Sequence, residues 1–177
     1  TGKTLGIIGF GRIGQAMASR GHFGFGMKIK IFSRSQVSAE LLERYNAEQF
    51  NSVETLLRKS DFVSLHCPGG TSNRHLINAS NLAQARPELV LINTARGEVI
   101  DEVALANALE NKTIKAAGLD VFDGEPNINP NLMTAPNLVM LPHLGSATRE
   151  TREEMGFRAL ANCRAFFEGE TPMDKVA

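Results

Sequence analysis

Short apolar runs alternate along the chain with stretches of helical apolar spacing. The first run, residues 4–9, ends in Gly9-Phe10-Gly11-Arg12-Ile13-Gly14. A helix is expected to open there, with Ile13, Ala16, Met17 and Phe23 on one side. Residues 28–32 read as a second strand, and residues 38–45 as a helix through Leu41, Leu42 and Tyr45. Asn51, followed three residues later by Glu54, predicts a capping box before Leu56 and Leu57. The alternation then repeats: a strand over 62–66, a short helix over 80–85, and an apolar run over 89–93 between Pro87 and Gly97. Asp101 is a natural N-cap for a helix through Leu109. Residues 116–119 and 138–141 read as buried strands. A last long helix is expected from about residue 147 to 167, stopped by Gly169.

The strand runs are continuously apolar, whereas a half-exposed strand would alternate. That pattern predicts an α/β fold: a Rossmann-type doubly wound parallel sheet with helices on both faces. Residues 69–73 and 123–137 read as loops. No internal repeat or low-complexity linker interrupts the order.

Composition narrows the function classes. Lys plus Arg number 19 and Asp plus Glu number 19, a formal net charge of zero. With no basic block, general nucleic-acid binding is not expected. The uncharged stretch 126–148 is broken by Pro130, Pro136 and Pro142, so no membrane span is expected. Cys67 and Cys163 make neither a disulfide framework nor a zinc set, so no metal is expected and a reducing cytoplasm fits best. No secretory leader is visible, and Thr1 is not an initiator methionine, which points to a fragment boundary.

A lone G-x-G-x-x-G is a weak signal, but here a strand precedes it, a helix opens on it and a second strand follows. Gly9 allows the tight turn, Gly11 lets backbone approach a pyrophosphate, and Gly14 lets the helix pack on the strand. The helix N-terminus offers N–H groups and a positive dipole end to the phosphates. About 20 residues on, an acidic residue would hold the adenosine ribose. This chain has Ser33-Arg34-Ser35 instead. A carboxylate repels a 2′-phosphate, whereas a guanidinium between two hydroxyls binds one, so NADP(H) is expected over NAD(H).

In an open parallel sheet, ligands sit beyond the carboxyl ends of the strands. The expected strands end at Cys67-Pro68, at Thr94-Ala95-Arg96, at Asp120 and at Pro142-His143. A thiol, an arginine, an aspartate and a histidine on one edge favour hydride transfer, with a cationic carboxylate anchor and a titrating acid.

Four segments carry a family resemblance: 9–14 (GFGRIG), 92–101 (INTARGEVID), 118–126 (GLDVFDGEP) and 141–148 (LPHLGSAT). Together they resemble the D-isomer-specific 2-hydroxyacid dehydrogenases, over nearly the whole chain and in that family's order. The Ser33-Arg34-Ser35 segment is similar to NADPH-preferring glyoxylate/hydroxypyruvate reductases. The resemblance implies a catalytic set of Arg96, Glu125 and His143. Arg96 would bind the carboxylate and keto oxygen of a 2-oxo acid, His143 would give or take the proton, and Glu125 would pair with His143. A carboxylate beside a histidine favours the imidazolium, which keeps an acid available near neutrality.

The implied cofactor set is Gly9, Gly11, Arg12, Ile13, Gly14, Ser33, Arg34, Ser35, Cys67, Pro68, Thr94, Ala95, Asp120 and Gly145. The resemblance also implies a homodimer through the cofactor domain, with the final helix or residues 23–27 as possible contacts. It implies a second, substrate-binding domain outside these 177 residues. The chain by itself is then expected to bind cofactor and to turn over 2-oxo acids weakly. The competing reading is a nucleotide-sensing module of the same fold, such as a co-repressor, which needs none of the catalytic three. His66 is expected as a satisfied strand-end histidine, His22 at a helix terminus, His75 in a loop or interface, and Cys163 in the core.

Overall fold

The computed structural model describes residues 1–176. The chain divides into two compact units, Thr1–Pro142 and His143–Ala177. The first holds a seven-stranded sheet, every neighbouring pair of which is parallel. In chain order the strands are β1 Thr4–Ile8, β2 Lys28–Phe32, β3 Ala47–Phe50, β4 Phe62–Leu65, β5 Val90–Asn93, β6 Ala116–Leu119 and β7 Leu138–Met140. Their order across the sheet is β3-β2-β1-β4-β5-β6-β7. The direction of winding therefore reverses between β1 and β4, where α/β sheets bind their ligands.

The helices of this unit are α1 Arg12–Ser19, α2 Ala39–Arg44, α3 Val53–Arg58, α4 Ala79–Leu82, α5 Glu102–Glu110 and α6 Pro130–Met133. Two apolar clusters lie on the two faces of the sheet. Leu5, Ile7, Ile29 and Ile31 pack with Ala18, Val37 and Tyr45 on the α1–α2 side. Ile8, Val63, Leu65 and Leu91 pack with Leu56, Leu82 and Leu105 on the α3–α5 side. Successive side chains of β1 pointing into different clusters is the pleat of a strand buried on both sides. The expected α/β doubly wound sheet is thus present.

Several local expectations are corrected. In α1 the inward stripe is Gly14 and Ala18, four residues apart; Ile13 and Phe23 are exposed. The helix then widens into a π turn over Arg20–Gly24 that carries His22. The cap of α3 is Ser52, not Asn51: the Thr55 N–H donates to Ser52 Oγ at 3.2 Å. One residue of register separates the two, and the hydroxyl at the true start wins. The strand β3 was not expected, because its Ala-Glu-Gln-Phe sequence is short and polar. The long loop 123–137 contains α6, whose start is capped by Asn129 with Pro130 at its first position.

The second unit is built on α7, Arg149–Phe167. Thr148 caps it, and the pairs Arg149–Glu153 and Arg164–Glu168 brace it at i,i+4 spacing. Arg158 donates to both carboxylate oxygens of Asp174, which raises the arginine further above its ordinary value. No residue of α7 is buried, and Cys163 is exposed rather than in a core. Its surface is mixed, with Met155, Phe157 and Leu160 exposed beside many charges. Among the described residues no helix is long and apolar enough to cross a membrane.

Ser60 is fully buried, and its hydroxyl has no partner among the described residues. An unmet buried hydroxyl costs about 1–3 kcal/mol. Ser60→Ala is therefore expected to raise the unfolding free energy by about 1 kcal/mol in a urea titration. A loss of stability would show that the hydroxyl is satisfied.

Candidate functional site

The site begins where β1 stops. Gly9 has φ +90°, a left-handed conformation that side chains resist, and a Cβ there would meet the His66–Cys67 backbone at 2.7 Å. At Gly14 a Cβ would overlap the Gly9 carbonyl, so α1 can start directly against the end of β1. Phe10 turns inward, 8% exposed, and meets Tyr45 edge-on at 6.0 Å. Gln15 Nε2 donates to the Phe10 carbonyl at 3.2 Å.

Gly11 is different. It has φ −74°, which any residue adopts, and a Cβ there would meet nothing within 4 Å. Neither the turn nor the packing requires glycine at this position. Open space over a helix N-terminus is what a close-lying pyrophosphate needs, and the first N–H groups of α1 face that space.

Two cavities meet at this turn. One, of about 220 Å³, is lined by Gly9, Gly11, Ser33, Arg34, Ser35, Cys67 and Asn73 among others. The second, of about 610 Å³, is lined by Gly11, Arg12, Ile13, Cys67, Pro68, Thr94, Ala95 and Arg96 among others. They share Gly11, His66, Cys67 and Pro68, so they form one trough over the β1–β4 switch point. Its ends are the guanidinium-bearing residues Arg34 and Arg96, and no carboxylate lines either cavity. The glycine turn, the helix start and the charge of the walls all fit a dinucleotide.

Side chains hold the edges of the trough in shape. Gln49 on β3 donates through Nε2 to the carbonyls of Ser33 at 3.4 Å and Ser35 at 3.0 Å. Its Oε1 accepts from the Val37 N–H at 2.9 Å. Arg34 itself donates to Ser72 Oγ at 3.2 Å. His66 meets Ser64 through Nε2 at 2.9 Å, and burial holds its imidazole below the ordinary range. Burial pushes the Cys67 thiol up, opposed by a backbone hydrogen bond and by the Arg34 charge. At the end of β5, the buried Asn93 accepts from the Ala95 N–H at 3.0 Å and donates to the Arg96 carbonyl at 2.9 Å. The Arg96 guanidinium rests on the Ala95 carbonyl at 2.6 Å.

The loop after β6 is fixed to the Arg96 turn. A Cβ on Gly97 would overlap the Phe122–Asp123 backbone, so these two segments touch directly. The Glu102 carboxylate accepts from the Asp123 N–H at 2.8 Å, and Arg74 binds the Asp123 carboxylate at 2.8 Å. Burial, with the nearby Asp123 charge, pushes the Glu102 carboxyl up, partly offset by that hydrogen bond. Glu125 is exposed and accepts from the Phe122 N–H at 2.8 Å. Asp120 is buried at the end of β6, and its N–H donates to the Asn93 carbonyl at 2.9 Å. Asp120 and Glu125 are not part of the trough wall. A larger cavity, about 670 Å³, opens beside Arg74, Glu102 and Asp123, but includes neither the glycine turn nor Arg96. In the second unit, His143 has a left-handed φ of +56° and, like Gly145, is exposed.

Gln49, Asn93 and Glu102 were missed as contributors in the sequence. Asn93 had one usable signal, an amide at the end of an otherwise apolar strand. Gln49 and Glu102 had none, because they act on backbone 14–21 residues away.

Residues 1–145 match the family model for the D-isomer specific 2-hydroxyacid dehydrogenase, NAD binding domain. The chain belongs to this family. It is 49% identical over 175 residues to a glyoxylate reductase of Thermococcus litoralis, covering 99% of this chain and 52% of that protein. It is 47% identical over 175 residues to a glyoxylate/hydroxypyruvate reductase B of Enterobacter agglomerans, covering 98% and 54%. A solved structure, the NADPH-dependent glyoxylate/hydroxypyruvate reductase of Sinorhizobium meliloti with NADP and malonate, superposes with a TM-score of 0.87. It is 35% identical and is covered to 56% of its length, against 99% of this chain. The chain spans about half the length of the curated relatives it matches. The trough, with its glycine turn and its two arginines, fits the dinucleotide that a domain of this family binds.

Cys67 lines both halves of that trough, while Cys163 is exposed. At pH 8, iodoacetamide is expected to modify Cys163 several-fold faster than Cys67, since the thiolate reacts and burial suppresses it at Cys67. Saturating NADP(H) is expected to slow Cys67 further and leave Cys163 unchanged, as read by peptide mass spectrometry. Equal protection of both, or of neither, would contradict the assignment.

Proposed function

We propose that this chain is the cofactor-binding part of an oxidoreductase that interconverts 2-oxo acids and D-2-hydroxy acids with NADP(H). Glyoxylate or hydroxypyruvate is the proposed substrate. The observation that carries the reading is the trough: a glycine turn at its centre, Arg34 at one end and Arg96 at the other. The names of the relatives support the substrate class. Ser33, Arg34 and Ser35, with no carboxylate beside them, support NADP(H) over NAD(H). NAD(H) remains the weaker alternative cofactor.

In this reading each residue has one task. The N–H groups at the start of α1, with Arg12 and Ile13, hold the pyrophosphate over Gly11. Cys67, Pro68, Thr94 and Ala95 shape the path toward the nicotinamide, and Asp120 and Gly145 complete the proposed cofactor set. Arg96 holds the planar substrate carboxylate by two parallel bonds, which lysine does less well. The chemistry that a nicotinamide held there would supply is hydride transfer to or from the substrate. His143 gives the proton to the forming alkoxide oxygen, or takes it in the reverse direction. Glu125 completes the proposed catalytic set. The protein contributes orientation and charge placement. A nucleotide-sensing module would need neither Arg96, Glu125 nor His143, and is not favoured.

We propose further that the active unit has a second, substrate-binding domain, works in the cytoplasm, and pairs as a homodimer. The exposed Phe23 and Phe25 support a contact surface on the cofactor-binding part. Neither a nucleic acid nor a membrane is a proposed partner.

The test is a panel of 2-oxo acids assayed with NADPH and with NADH on the full-length enzyme that carries both proposed domains. Glyoxylate or hydroxypyruvate is expected to lead, with kcat/KM at least about tenfold higher with NADPH. Arg96→Lys is expected to lower kcat/KM for the oxo acid by about 100-fold, with cofactor affinity nearly unchanged. A clear NADH preference, or an Arg96→Lys variant that loses only cofactor affinity, would overturn the assignment.

A further inference from the structure

Arg34 is the cation of the proposed 2′-phosphate end, and its neighbour in the structure comes from a distant loop. Its Nη1 donates to Ser72 Oγ at 3.2 Å, across 38 residues of sequence. Ser72 lies in the loop between β4 and α4, two strands away from the Ser33–Ser35 turn in the sheet order.

That loop is braced by other groups. The Gly70 N–H donates to Glu98 Oε1 at 2.6 Å. Asn73 Nδ2 donates to the Pro68 carbonyl at 2.8 Å, and the Asn73 N–H to the Gly70 carbonyl at 3.0 Å. Gly69 has no room for a side chain against Glu98 and Arg96. None of these contacts uses the Ser72 hydroxyl, so the loop holds its shape without it. Glu98 is itself held by Arg74 at 3.6 Å, which ties the loop to the scaffold that carries Arg96.

A hydroxyl has one proton to give and two lone pairs. In the pair with Arg34, Ser72 Oγ uses a lone pair and keeps its proton. A phosphate dianion presents several acceptor positions and is held best by donors converging from more than one side. Ser33, Ser35 and Arg34 approach from the end of β2; Ser72 stands on the loop after β4.

We infer that Ser72 is a specificity-determining residue for the cofactor, orienting the Arg34 guanidinium and donating a hydrogen bond to a 2′-phosphate. The inference rests on the NADP(H) reading above. It distinguishes Ser72 from the Ser33-Arg34-Ser35 segment, because Ser72 is brought there only by the fold.

The test uses this chain with two nucleotide probes, adenosine 2′,5′-bisphosphate and adenosine 5′-monophosphate, titrated by calorimetry. The wild-type chain is expected to bind the bisphosphate more tightly. Ser72→Ala is expected to raise the bisphosphate Kd about tenfold, as for a lost hydrogen bond to a charged group, and to change the monophosphate Kd less than about twofold. Ser72→Thr, which keeps the hydroxyl, is expected to restore bisphosphate binding. Equal weakening of both probes would reduce Ser72 to a structural loop residue and overturn the inference. So would an unchanged bisphosphate Kd in a chain that still prefers the bisphosphate, and that result would leave the NADP(H) reading intact. A wild-type chain that binds both probes equally would overturn the NADP(H) reading, and this inference with it.

Discussion

The start of α1 sits against the end of β1 because Gly14 carries no side chain where the Gly9 carbonyl approaches. A methyl group at Gly14 would push the helix off the strand, and with it the N–H groups that open over the sheet edge. Gly9 adds a second condition: its left-handed turn brings the backbone against His66 and Cys67 at the end of β4. The glycine turn is therefore locked at the point where the sheet changes direction. Phe10, buried against Tyr45, anchors the turn from the α2 side of the sheet. Both glycines serve the fold, and through it the site. Gly11 between them serves only the space above.

A second close approach joins the loops that carry Arg96 and Glu125. Gly97 packs directly on Phe122 and Asp123, which brings the turn carrying Arg96 against the loop carrying Glu125. Asn93 shapes the first of these from below, and Glu102 and Arg74 hold the second. Glu102 is 7% exposed, yet its carboxylate has a backbone partner, which is how a buried acid is tolerated. The electrostatic layout follows from these contacts. Cations lie at the two ends of the trough and its walls lack carboxylates, so the whole groove favours an anionic ligand.

Much of this was legible in the sequence, for a physical reason. Strands buried on both faces must be apolar throughout, and β1, β4 and β5 announce themselves that way. The glycine turn and the strand-end residues Cys67, Arg96 and Asp120 are local features, read directly from their neighbours. What escaped depends on contacts between distant residues. β3 is short and polar at an edge of the sheet, so nothing in its composition marks it, yet its Gln49 fixes the Ser33–Ser35 turn. The stripe of α1 was misread because small residues, Gly14 and Ala18, make the contact and the large Ile13 faces the trough. Cys163 was misassigned because an apolar residue in a long helix need not be buried, and α7 buries none of its residues.

The account turns on Gly11 being glycine for the sake of a ligand. Threonine caps a helix about as well as glycine does, so Gly11→Thr leaves the local backbone satisfied while its side chain fills the open space. The decisive measurement is the Kd for NADP(H) beside the unfolding free energy of that variant. The account predicts an unfolding free energy within about 0.5 kcal/mol of the parent chain and a Kd raised at least about tenfold. Unchanged affinity would contradict it, as would a loss of affinity that merely follows a loss of stability.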